Sequence, residues 1–326
     1  MYFAAQKIEL MKTRQDITKP VIYLAPLQGL SDYSFRQAFC TLFEAPDLAF
    51  SPFIETHKPD QRAWRDVLPE RNNGIRLVPQ VLGNNADEMH QVIVHLNELG
   101  YSGINWNLGC PYPMVTKKQL GAGLLPYPEK IDMVLNELYK DTSLQLSVKM
   151  RLGLKSPDEW KALVPVFNRY PLTEVIIHGR TASQMYDGEV IETAFIDMAN
   201  QLVHPVCYNG NINSLKDFQS LSQSMPFVSR WMIGRGALAN PLLLNEIKTN
   251  IKATPQEIKT AINLLHDQLI YQNSLRLSGE SHLMHRLKPY WEYFAKSLPD
   301  NKKGLKKIKK SVRFSAYINA CKEVLG

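Results

Sequence analysis

Ile176-Ile177-His178-Gly179-Arg180-Thr181 is an apolar run that stops on a histidine and passes into a polar, glycine-containing turn. Read outward in both directions, runs of the same kind recur. Mainly apolar segments end near Ala25, Ser51, Gln80, Asn107, Lys149, His178, Asn209 and Gly234, at spacings of 26, 29, 27, 42, 29, 31 and 25 residues. Helical stripes lie between them, as in Met89, Val92, Ile93, Leu96 and Leu99, stopped by Gly100, and in Ile131, Val134, Leu135 and Leu138. Eight strand-then-helix units of roughly thirty residues predict an α/β fold, a closed (β/α)8 TIM barrel. An open doubly wound sheet is the alternative, but no Gly-x-Gly-x-x-Gly follows the first run.

Residues 1–20 show no period and read as an N-terminal arm; the barrel is expected over 21–247, and 248–326 as a small all-helical domain. Thr254-Pro255-Gln256-Glu257 predicts a capping box with proline at the first helical position, followed by the stripe Ile258, Ala261, Ile262, Leu265 and Leu269. In the segment Lys302 to Val312, helical spacing turns Leu305, Ile308 and Val312 inward and puts Lys303, Lys306, Lys307 and Lys310 on the outer face.

The net charge of +7 is concentrated in this last region. Between Arg286 and Arg313 stand ten Lys and Arg against Glu292 and Asp300, which leaves +8 here and −1 elsewhere. A near-neutral body with one basic end suits a polyanionic partner, although a solvated lysine face kept for solubility has the same composition. No apolar run is long enough to cross a bilayer, and Met1 to Gln15 lacks the apolar block of a secretory signal, so a cytoplasmic location is expected. Cys40, Cys110, Cys207 and Cys321 are widely spaced, which argues against structural zinc and disulfides.

In such a barrel the functional face lies at the carboxyl ends of the strands. Here it carries Gln80, Asn107, Lys149 in Ser147-Val148-Lys149-Met150-Arg151, His178, Asn209-Gly210 and Gly234-Arg235-Gly236. Each alone has an ordinary explanation as a rim lysine, a core histidine or a turn. Together they suit a phosphate-bearing heteroaromatic cofactor such as FMN. Glycine-rich turns after the last two strands can hold phosphate, amide side chains can pair with the ring, and Lys149 can stabilise its negative charge. No His, Asp or Glu cluster with metal-ligand spacing accompanies His178. Cys110 sits on a stiff Gly109-Cys110-Pro111 turn, readable either as a small buried residue or as a positioned thiol.

The segments Leu24-Ala25-Pro26-Leu27-Gln28-Gly29, Gln80, Asn107-Leu108-Gly109-Cys110-Pro111, Ser147-Val148-Lys149-Met150-Arg151-Leu152-Gly153, His178-Gly179-Arg180-Thr181, Asn209-Gly210 and Ile233-Gly234-Arg235-Gly236 follow one another in an order that resembles the tRNA-dihydrouridine synthase family. The helical tail is most similar to that of the bacterial synthase C branch. The resemblance implies a flavin-dependent reduction of uridine in tRNA to 5,6-dihydrouridine, with hydride from FMN to C6, a proton from Cys110 to C5, and NADPH as reductant. It implies that Pro26, Leu27, Gln28, Gln80, Lys149, His178, Asn209, Gly210, Asn211, Gly234 and Arg235 hold the flavin. Asn107, Arg151, Arg286, Lys288, Lys306 and Lys309 would contact the RNA, a tRNA D-loop engaged by a monomer, with position 16 the target of the C branch. Four departures are visible: Leu27 where methionine is usual, Pro52 in place of an acidic residue, Pro113 in Cys110-Pro111-Tyr112-Pro113, and a thinner glycine cluster in Leu120-Gly121-Ala122-Gly123. A dihydroorotate dehydrogenase-like barrel acting on a free pyrimidine, and an RNA-binding relative without turnover, remain the alternatives.

Overall fold

The computed structural model describes residues 19–140, 144–298 and 301–326; residues 1–18, on which the expected arm falls, lie outside the described residues. Ten strands run in chain order as β1 Val21–Leu24, β2 Leu48–Phe50, β3 Ile54–Glu55, β4 Leu77–Val78, β5 Gln80–Leu82, β6 Gly103–Leu108, β7 Gln145–Gly153, β8 Val175–Thr181, β9 Val206–Asn209 and β10 Arg230–Ile233. Every pairing is parallel, in the order β3-β5-β6-β7-β8-β9-β10-β1-β2-β4. The two ends of that order meet in one stretch of chain. Only Pro79 separates β4, which pairs with β2, from β5, which pairs with β6. Proline cannot donate to the ladder, so the strand breaks there without changing course, while its carbonyl accepts from the Asn105 amide at 2.9 Å. Segment 77–82 thereby closes the sheet into the expected barrel, with β2 and β3 forming one broken strand and β4 and β5 another.

Alternation along the strands selects the interior. Tyr23, Phe50, Ile176, Cys207 and Met232 fill it, each at most 3 % exposed, and Gln80, Asn107, Lys149, His178 and Asn209 lie toward the carboxyl ends. The helical stripes face the other way. Met89, Val92, Ile93 and Leu96 are buried on Ala86–Glu98, and Ile131, Val134, Leu135 and Leu138 on Pro128–Leu138. Thr254 and Glu257 make both bonds of the capping box at the start of Pro255–Ser274. That helix packs along Tyr33–Leu42 of the barrel, and Tyr290 stacks on Phe35 with ring centroids 5.8 Å apart. No helix among the described residues is long and apolar enough to cross a membrane.

Three local expectations are corrected. Lys149 and His178 do not end their strands, because β7 and β8 pair with each other as far as Gly153 and Thr181. Gln80 opens β5, since Pro79 rather than Gln80 interrupts the segment. Val312 is 86 % exposed, because the helix Lys302–Lys310 stops at Ser311 before another turn can bring it inward.

Candidate active site

At the carboxyl ends of the strands lies a cleft open to solvent. Of the residues expected around a cofactor, Pro26, Leu27, Gln28, Gln80, Lys149, His178, Asn209, Gly210, Gly234 and Arg235 line it, together with Cys110. Asn211 stands just behind, accepting from Arg235 at 3.2 Å and Arg180 at 3.3 Å. At Gly234 a Cβ would lie 3.2 Å from that of Ala25, a tight approach that glycine relieves.

A chain of amides aims the cysteine turn. Gln80 donates to Asn105 at 2.7 Å, Asn105 donates to Ser147 at 2.8 Å, and Asn107 donates to Gln80 at 2.7 Å. The Asn107 carbonyl oxygen is then left to accept from the backbone amides of Gly109 and Cys110, at 3.0 and 2.9 Å. Arg151 donates to the Gly109 carbonyl at 3.0 Å and to that of Thr181 at 2.8 Å. Asn107 and Arg151, expected to meet RNA, therefore hold the thiol-bearing turn through these bonds. Gly121 completes the support: its φ of +55° lets the backbone pass where a Cβ would lie 2.8 Å from Cys110 Cβ.

The cleft is rich in cations and has no acidic residue in its lining. Lys149 donates to Asn209 at 2.8 Å, and Arg235 and Arg151 lie over the Tyr186 ring at 5.3 and 5.2 Å. Arg180 donates to His178 Nε2 at 3.1 Å. A guanidinium has no acceptor, so Nε2 carries the lone pair and Nδ1 the proton. Burial first, and then Arg151 and Lys149, push the His178 pKa well below its ordinary value, which keeps the ring neutral. Burial with Arg151 beside it brings Lys149 down to about 7, and burial lowers Arg151 to about 10. Burial also raises the Cys110 thiol, partly offset by the Tyr112 amide, Arg151 and Lys149. The thiol is thus kept protonated at neutral pH, with positive charge waiting for the thiolate.

The basic tail behaves differently. Arg286 pairs with Asp32 at 2.7 Å and donates to the Gly29 carbonyl, while Lys288 donates to the carbonyls of Lys309 and Ser311 at 3.2 and 2.5 Å, closing the end of Lys302–Lys310. Both are absorbed in packing. Lys306 is exposed, and Lys309 is exposed within 3.6 Å of Glu292. The side chains that sequence reasoning passed over are Arg180, Asn105, Ser147, Phe53, Tyr112 and Tyr186. Period-two alternation carried a signal for Arg180, two residues beyond His178, and for Asn105, two before Asn107. Among the described residues no group of three or more His, Cys, Asp or Glu could hold a metal ion.

A family model described as dihydrouridine synthase matches residues 23–322. The chain belongs to the dihydrouridine synthase family. Within it, the chain is 29 % identical over 261 residues to tRNA-dihydrouridine synthase B of Pasteurella multocida, covering 77 % of each chain. It is 28 % identical over 302 residues to the tRNA-dihydrouridine(16) synthase of Vibrio parahaemolyticus, covering 88 % of this chain and 91 % of that one. To the enzyme of the same name from Haemophilus ducreyi it is 30 % identical over 295 residues, covering 86 % and 88 %. Among solved structures, a variant of morphinone reductase in complex with tetrahydroNAD shares the fold at a TM-score of 0.51 and 9 % identity, over 72 % of this chain and 88 % of that one.

Proposed function

We propose that this member of the family reduces a uridine of tRNA to 5,6-dihydrouridine, using FMN as bound cofactor and NADPH as reductant. The observation that carries the reading is the Cys110 side chain on a cleft shared with Lys149, Arg151 and Arg235 and lined by no carboxylate, where burial raises the thiol's pKa. A donor set of that kind fits an anionic cofactor. Gly210, Asn211, Gly234 and Arg235 would hold its phosphate end, Lys149 and His178 its charged ring edge, and Gln80 with Pro26, Leu27 and Gln28 the remainder of the ring.

FMN, when bound, supplies the hydride that adds to C6 of the uracil. Cys110 gives its proton to C5, so that one C=C bond is replaced by two C–H bonds and the thiol leaves as thiolate. The Tyr112 amide, Arg151 and Lys149 stabilise that thiolate until solvent returns the proton. Asn107 and Arg151 keep the turn still while this happens. Their bonds support a positioning role in place of direct RNA contact.

Turning a uridine out of folded RNA costs about a few kcal/mol, which phosphate contacts must offset. The exposed lysines of Lys302–Lys310, Lys306 and Lys309 among them, supply suitable charge, within a helical domain over 248–326 that grips the D-loop as part of a monomer. The dihydrouridine(16) relatives support position 16. The test is nucleoside mass spectrometry of unmodified tRNA after incubation with the flavin-loaded protein and NADPH. Dihydrouridine should appear, and Cys110→Ala should cut its rate by about 10²- to 10⁴-fold with the flavin spectrum intact. Absence of product from the wild-type protein carrying reducible flavin would refute the reading.

A further inference from the structure

Tyr112 stands beside the thiol, and the mechanism, which uses its amide, leaves its ring unused. Its backbone is held on both sides. It lies between Pro111 and Pro113 with φ −64° and ψ 134°, and its carbonyl accepts from the amides of Val115 at 2.8 Å and Thr116 at 3.0 Å. Two adjacent prolines remove most of the remaining freedom. The ring, in contrast, is free. It is 44 % exposed at the cleft, and among the described residues no aromatic ring or cation stacks on it. Tyr186, on the same cleft, has its ring occupied by the guanidinium groups of Arg151 and Arg235.

We propose that Tyr112 is a stacking platform for an RNA base next to the turned-out uridine, and so a substrate-binding residue of the reaction. The inference rests on the proposed tRNA activity. Every base has a flat π face, and proteins that hold unpaired nucleotides use aromatic rings in this way. A tyrosine has two side-chain torsions, and this one projects from a backbone that binding need not order, so little freedom is lost when a base arrives. A flanking base fits the position better than the target does, because the ring lies at the exposed side of the turn whereas Cys110 is buried, 8 % exposed. Contact with a base that undergoes no reaction contributes equally before and during the chemical step, and so should be seen in KM.

The experiment measures KM and kcat for an unmodified tRNA transcript with flavin-loaded wild-type, Tyr112→Phe, Tyr112→Trp and Tyr112→Leu proteins. Tyr112→Phe and Tyr112→Trp should stay within about twofold of wild type, whereas Tyr112→Leu, of similar apolar bulk without a π face, should raise KM about tenfold with a smaller change in kcat. Tyr112→Gln serves as the non-aromatic variant should Tyr112→Leu lose its flavin. A non-aromatic variant with wild-type KM, or a Tyr112→Phe as impaired as Tyr112→Leu, overturns the platform. Failure of the wild-type protein itself to make dihydrouridine overturns the underlying activity, and is seen before any variant is compared.

Discussion

In the cleft, Lys149, Arg151 and Arg235 gather around one opening with no acidic side chain in its lining, and Arg180 stands behind them on His178, whereas at the junction with the C-terminal helices Arg36, Arg276 and Arg286 each have a carboxylate. There Arg36 meets Asp66 at 3.1 Å with both side chains buried, and Asp32 accepts from Arg276 at 2.8 Å and Arg286 at 2.7 Å. Arg71 and Arg276 both lie against the Tyr33 ring, their guanidinium carbons 4.7 and 5.3 Å from its centroid. The same residue types thus do opposite work. Paired charge fastens one part of the chain to another, and buried charge without a partner is an unfilled demand for an anion. The distinction also separates Arg286 from Arg235, which composition alone treats alike.

The comparison can be broken at either end. The largest effect should come from Arg36→Met, which leaves Asp66 buried without its cation and should cost about 3–5 kcal/mol in urea unfolding. A loss below about 1 kcal/mol would mean that the junction is not held by its ion pairs. Next comes Lys149→Met. FMN affinity, followed by flavin fluorescence, should fall about ten- to a hundredfold, while the flavin-free protein should be no less stable, because the only bond lost is that to Asn209. Asp32→Asn should show the reverse pattern, with about 1–2 kcal/mol of stability lost and flavin still bound. Variants that moved both quantities together at both sites would erase the contrast.

Two smaller effects sharpen it. Lys149 in the flavin-free fold has its pKa down at about 7, so between there and its ordinary range the unfolded chain holds a proton that the folded chain lacks. This group's contribution therefore favours the fold more as pH rises across that window, and an anion bound beside Lys149 draws the proton back. FMN binding above pH 7 should take up as much as about one proton and weaken by up to about tenfold per pH unit, measurable by calorimetry in buffers of different ionisation heat. The smallest effect is expected at the tail. Lys306→Ala should weaken tRNA binding slightly and reduce the slope of log affinity against log salt by about one, with filter binding as the readout.

Strand repeats were legible because their period is short and their ends are polar, and the helix stripes because burial repeats every three or four residues. Much of the cleft followed, since barrel topology brings Gln80, Lys149, His178, Asn209 and Gly234 to one face regardless of the details between them. Partnership was not legible. Nothing local in the sequence says that Arg286 reaches back to Asp32, that Lys288 closes a helix end, or that Asn107 spends its carbonyl oxygen on two backbone amides. Tyr112 was hidden for another reason: an exposed ring is informative only once its surroundings are known to leave it free.

The seam at Pro79 gives the cysteine turn a dependence on folding. Gln80, first residue after the break, ties its amide to Ser51 across the closing strands at 3.0 Å, and its side chain begins the bonds that end at the Cys110 amide. An open barrel has no partner for one side of segment 77–82, and therefore no fixed Gln80 and no aimed thiol. With Cys110 in its proposed role, partly folded chains are inactive, and the onset of activity during refolding can serve as a clock for ring closure.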